Sequence, residues 1–165
     1  MGYLIDGFNL IYKFPHLEEL MYANELTRAQ KGLIDILKKY EHIKKAEIRV
    51  VFDGKRKQGD NTGQEHIGKI MVYYSHDYSA DHLIKQFTKT NLNPRMTTVV
   101  TSDREIIFYV NRFRSPVIKS EDFARIVNRE IEEYNHKYTP EKEDNPELSE
   151  DEISFWEKMF TKKKS

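Results

Sequence analysis

An apolar run that stops at a single acid constrains this chain more than any other feature. Tyr3-Leu4-Ile5-Asp6-Gly7-Phe8-Asn9-Leu10-Ile11 enters as a short buried strand, places Asp6 at its end, loosens at Gly7 and sets Asn9 three residues past the acid. In open parallel sheets the crevice at the carboxyl ends of the strands is where ligands gather. Two further runs close the same way. Val50-Val51-Phe52 ends in Asp53-Gly54, and Thr98-Val99-Val100-Thr101 ends in Ser102-Asp103. A fourth acid, Asp81, opens the helical stretch that follows Lys69–Tyr74.

The pattern between these points alternates strand with helix. Pro15–Met21 reads as a short helix, and Asn24 can cap a longer one whose apolar side is Leu26, Ala29, Leu33, Leu37 and Tyr40. Strand two is Ala46–Phe52. Lys55–Gly68 has three glycines, the basic cluster Lys55-Arg56-Lys57 and no large apolar residue but Ile67, so a loop is expected beside Asp53. Strand three is Lys69–Tyr74, and Ser79 caps a helix with Leu83, Ile84 and Phe87. Strand four is Thr97–Thr101. Ser102-x-x-Glu105 reads as a capping box for the helix of Ile106, Ile107, Val110 and Phe113. An extended piece, Pro116–Ile118, leads to Ser120, expected to cap the helix of Phe123, Ile126, Val127, Ile131 and Tyr134. Such alternation predicts an α/β fold with a mainly parallel sheet and right-handed crossovers. The boundaries expected are a domain over 1–138 and, over 139–165, an acidic linker with a short amphipathic helix presenting Ile153, Trp156 and Phe160.

Charge and composition narrow the chemistry. The 27 basic and 27 acidic residues cancel over the 165-residue chain. Beyond Pro140, however, eight acids face five lysines, leaving 22 basic against 19 acidic residues before it. Four acids gathered at one site would leave the remaining surface basic, which suits a polyanionic partner. The chain has no cysteine, so thiolate metal sites, disulfides and thiol nucleophiles are excluded. No apolar stretch approaches the roughly 20 residues that span a bilayer, and no signal-peptide pattern precedes the first strand. The expectation is a soluble cytoplasmic protein.

Each acid has an ordinary structural reading. Asp6 and Asp53 precede glycine and suit turns, while Asp81 and Asp103 lie where negative charge suits a helix dipole. Their common position after strands is what favours a shared site. Hard oxygen donors without cysteine suit Mg²⁺ or Mn²⁺, ions that polarise a phosphoryl oxygen and activate water. Metal-assisted hydrolysis of a phosphodiester is the reaction expected. Competing α/β chemistries fail on the residues: a Walker loop, G-x-G-x-x-G and G-x-S-x-G are all absent. A haloacid-type phosphatase would need an Asp where Phe8 stands.

The motifs Leu4-Ile5-Asp6-Gly7-Phe8-Asn9-Leu10-Ile11, Val51-Phe52-Asp53-Gly54, Ser79-Ala80-Asp81 and Val100-Thr101-Ser102-Asp103-Arg104-Glu105 resemble, in that order, those of the NYN domain family, in particular its YacP-like branch. The resemblance runs from about Tyr3 to Tyr134. It implies a PIN-like three-layer α/β/α sandwich and an endoribonuclease that cuts RNA internally. Asp6, Asp81 and Asp103 would be the principal metal-site acids, with Asp53 a further one, Asn9 orienting the site and Ser102 supporting it from the helix cap. The sequence departs from the family at Ser75-His76-Asp77-Tyr78-Ser79, where Asp77 competes for a ligand role, and at Ser115-Pro116 in place of a small turn. For RNA, free or on the ribosome, the candidate contacts are Lys55, Arg56 and Lys57 on the phosphate backbone, with Arg104, and Tyr78 as a stacking surface. His76 and His82 lie near the expected site; Tyr73 and Tyr74 alternate on a strand as core. The competing reading is a non-catalytic RNA- or ribosome-binding module that keeps the fold.

Overall fold

The computed structural model describes residues 1–54 and 63–138. The expectations resting on Lys55, Arg56 and Lys57, on the acidic linker and on the C-terminal helix lie outside the described residues. Among the described residues, six strands form one sheet in the order β3-β4-β2-β1-β5-β6. They are β1 (Gly2–Asp6), β2 (Glu47–Phe52), β3 (Gln64–Ile67), β4 (Ile70–Tyr74), β5 (Thr97–Val100) and β6 (Val117–Ile118). All neighbours are parallel except β3, which runs antiparallel to β4.

Alternation along the central strands divides the core in two. Ile5, Val50 and Val100 point to one face, where they pack with α1 (Gly7–Ile11), α2 (Pro15–Tyr22), α3 (Leu26–Lys44) and α6 (Ser120–Tyr138). Leu4, Val51 and Val99 point to the other face, against α4 (Ala80–Thr90) and α5 (Arg104–Asn111). Strands buried on both faces are expected to be continuously apolar, and β5 is buried at every position. The result is the three-layer α/β/α sandwich with a mainly parallel sheet.

Connectivity explains where a crevice opens. From β1 the chain moves outward to β2 through helices on one face, and later crosses from β4 to β5 through α4 on the other. Crossovers of one hand that travel in opposite directions must use opposite faces. They diverge at β1, between β2 and β5, so this is the switch point of the sheet. No described helix is long and apolar enough to cross a membrane.

Three local expectations are corrected. Asn24 does not cap α3; it adopts φ 58° and terminates α2, while Glu25 precedes the first turn of α3. Asn is tolerated at caps and in the left-handed region alike, and here the second use wins. The expected loop Lys55–Gly68 contains an edge strand, Gln64–Ile67, which turns back through Gly68 at φ 61° onto β4. Paired on one side only, it needs little apolar patterning. Ser120 opens α6 but turns its hydroxyl to Asn9 instead of capping.

The turn from β1 into α1 leaves no room at Gly7. A Cβ there would stand 2.5 Å from Phe52 Cε1 and 2.9 Å from the Val51 carbonyl oxygen. Gly7→Ala should therefore destabilise the protein by about 2 kcal/mol or more, read as a lower midpoint in urea at unchanged slope. A midpoint equal to wild type would show that Phe52 yields freely.

Candidate metal and nuclease site

Register places the first acid among its neighbours. Asp6 is opposite Val51 on β2, and because Ile5 is opposite Val100, Thr101 follows beside Asp6. Thr101 Oγ1 donates to Asp6 Oδ2 at 2.9 Å and accepts the Asp103 backbone N–H at 3.1 Å. One hydroxyl thus fixes two of the acids. Asp6 is half-buried, and burial is the largest cause pushing its carboxyl up from 3.8 to about 6. The Thr101 hydrogen bond and the Asn9 backbone N–H oppose this rise, while the negative charges of Asp103 and Asp81 add to it.

The other two acids arrive on helix starts. Asp103 is itself the N-cap of α5: its Oδ1 accepts from the Glu105 N–H at 2.9 Å and the Ile106 N–H at 3.4 Å. The expectation that Ser102 supplies this cap is corrected. Ser79 caps α4 by accepting the His82 N–H at 3.0 Å, which sets Asp81 in the first turn. Lys85, one turn on, reaches Asp81 Oδ2 at 3.2 Å, and this bond holds the ammonium above its ordinary range. Asp81 Oδ1 is buried and has no hydrogen-bond partner among the described residues. A buried carboxylate oxygen left unpaired is costly, and a cation is one group that would satisfy it. Among the described residues no three acidic or imidazole side chains stand close enough to enclose an ion in this conformation. In charge and donor chemistry, Asp6, Asp81 and Asp103 fit a hard divalent cation.

Asn9 ties the surrounding segments together. Its Oδ1 accepts from the Ser102 backbone N–H at 2.9 Å and the Ser120 hydroxyl at 2.6 Å. Ser102 Oγ accepts the Ser120 N–H at 2.9 Å and donates to Glu121 Oε2 at 2.5 Å. That last bond holds the Glu121 carboxyl below the usual carboxylate range. Helix α1, the turn after β5 and the start of α6 are therefore locked through one amide oxygen.

The YacP-like NYN domain model matches residues 3–162. The chain belongs to the YacP-like NYN domain family. Its fold is nuclease-like, and two crystal structures of Rae1 (YacP) from Bacillus subtilis share it. One is 19% identical with a TM-score of 0.70, covering 98% of this chain and 91% of that one. The other, a point mutant, is 22% identical with a TM-score of 0.69, covering 90% and 86%. Comparison with curated proteins gives no match.

Within this NYN domain, Arg104 directly follows Asp103, and Tyr78 and His82 flank Asp81 in the chain. Asp53 is exposed, and its Oδ1 accepts from Ser75 Oγ at 3.1 Å, as follows from the pairing of Phe52 with Tyr74. The charges of Asp103 and Asp81 act on Asp6. Tyr78 is 66% exposed and stacks on His82 with ring centroids 4.8 Å apart. Arg104 and Asp77 are exposed. His76 takes φ 56° and donates its backbone N–H to the Gly54 carbonyl, so it shapes the loop beside Asp53. Tyr73 packs on Phe87 and Tyr74 on Phe52, on opposite faces.

Sequence reasoning missed Thr101, Lys85, Ser120 and Glu121 as partners of the site. Lys85 was findable at i+4 from Asp81. The others depend on register and on a contact between residues 9 and 120, which no local spacing encodes.

Because Asp6 binds its proton more tightly folded than unfolded, stability falls as pH rises from about 4 to about 6, and the penalty is complete above that. Asp6→Asn should then stabilise the metal-free protein by roughly 1–2 kcal/mol at pH 7.5, a rise in Tm of about 3–6 °C. The gain should disappear by pH 4. A gain that persists at pH 4 would show that charge is not its source.

Proposed function

We propose that this YacP-like NYN domain is a divalent-metal-dependent endoribonuclease. The observation that supports the reading is that the charges of Asp103 and Asp81 act on the half-buried Asp6 at the end of the central strand, while Asp81 Oδ1 is buried with no hydrogen-bond partner among the described residues. Asp6, Asp81 and Asp103 would hold Mg²⁺ or Mn²⁺. The ion would supply Lewis-acid stabilisation of the phosphoryl group and lower the pKa of an attacking water.

The chain's own groups do the rest. Thr101 fixes the orientation of Asp6 and the turn leading to Asp103. Asn9 and Ser102 hold that turn against α6, so the acids keep their spacing while substrate binds. Lys85 lies in the field of Asp81, Glu105 and Asp103, and as a cation it would attract a phosphate once the acids are neutralised. Lys55, Arg56, Lys57, Arg104 and Tyr78 are the proposed contacts to RNA, free or on the ribosome. Asp53 is proposed as an accessory acid at the neighbouring strand end. An RNA substrate and a cysteine-free chain suit the cytoplasm.

The test is incubation of the full chain with labelled single-stranded RNA in Mn²⁺ or Mg²⁺, beside chelator and beside Asp6→Asn. The expected result is internal cleavage that needs the ion and falls at least about a hundredfold in Asp6→Asn. Metal-independent, salt-sensitive RNA binding without cleavage would instead assign a binding module.

A further inference from the structure

Helix α1 carries more than Asn9. Phe8 and Tyr12, four residues apart, fall on one side of it. They line an open groove of about 500 Å³ with Met21, Leu26, Asp53 and Gly54. We propose that this groove is a nucleobase subsite, in which an unpaired base of the RNA strand stacks on Tyr12 beside the carboxylate site. The proposal deepens the nuclease reading and rests on it.

Exposure and packing separate the roles of the aromatic residues. Phe8 is half-buried against Phe52, with ring centroids 5.1 Å apart, and forms a fixed floor. Tyr12 is 41% exposed and its neighbour Tyr22 77% exposed, their rings 6.4 Å apart and inclined at 60°. Two exposed tyrosines at an apolar groove contribute little to the core, but they suit a planar π-face that arrives from solvent.

The polar rim selects among the parts of a nucleotide. Asp53 supplies a carboxylate whose Oδ1 is steadied by Ser75, and the Gly54 N–H is already donated to Ser75 Oγ at 3.0 Å. At this edge of the groove the described residues offer the Asp53 carboxylate as an acceptor, and the Gly54 amide is already used. The Asp53 carboxylate suits the amino or ring N–H groups of a base. Position completes the argument. Asp6 is opposite Val51, so Asp53 stands two residues further along the neighbouring strand, roughly 8 Å away between Cα atoms. Asn9, one residue from Phe8, is bonded into the opposite wall of the acidic site. A base in the groove would thus belong to a nucleotide whose backbone passes the three acids.

The experiment measures binding of a labelled single-stranded RNA by anisotropy in chelator, and cleavage in Mn²⁺, for wild type, Tyr12→Ala and Tyr12→Phe. Copies of the RNA with one abasic position form a second series that leaves the protein untouched. Tyr12→Ala should bind at least about fivefold more weakly and raise KM by a similar factor. Tyr12→Phe should restore most of the affinity. One abasic position should cost wild type a matching factor and cost Tyr12→Ala little more. If Tyr12→Ala binds and cuts like wild type while Asp6→Asn has lost cleavage, the groove holds no base, a protein segment becomes its better occupant, and the nuclease reading stands. If wild type neither binds nor cuts RNA, the nuclease reading fails and the subsite with it.

Discussion

A carboxylate at the end of a buried strand, in the field of two other acids, is the constraint on which this structure turns. Burial of Asp6 disfavours its charged form, and the charges of Asp103 and Asp81 add to that cost. The fold draws each of these acids from a different kind of element. Asp6 is the last residue of the central strand, Asp103 a helix cap and Asp81 the first turn of another helix. Helix N-termini offset part of the repulsion at Asp103 and Asp81, and Lys85 offsets more. Asp6 has the Thr101 hydroxyl and one backbone N–H, which do not outweigh its burial.

A site built at such cost needs rigid walls, and hydrogen bonds of long sequence separation supply them. The Asn9 amide oxygen joins residues 93 and 111 positions away, in Ser102 and Ser120. Losing Asn9 would free three segments at once, whereas losing the exposed Asp53 would affect Ser75 and the adjacent loop. The same short helix carries Phe8 and ends at its C-cap Tyr12, so anchoring and the proposed substrate contact belong to one short segment.

The layers and the mainly parallel sheet were legible because two periodicities survive in the sequence. The roles of Ser102 and Asp103 were not. Both residues suit an N-cap, and the choice is made by Glu121, which takes the Ser102 hydroxyl from 19 residues away. The strand Gln64–Ile67 was hidden for a different reason: an edge strand carries almost no apolar alternation. Asp53 follows the same strand-end rule as Asp6, yet Ser75 engages it, a consequence of β4 register that no motif records.

The central claim is that the three acids form one cation site. Calorimetric titration of Mg²⁺ into the full chain, with Asp81→Asn alongside, tests it without reference to any substrate. The account predicts saturable binding at pH 7.5 that weakens as pH falls below about 6, where Asp6 takes up its proton. It also predicts a loss of about tenfold or more in Asp81→Asn. Equal affinity in wild type and Asp81→Asn, or binding indifferent to pH across that range, would contradict it.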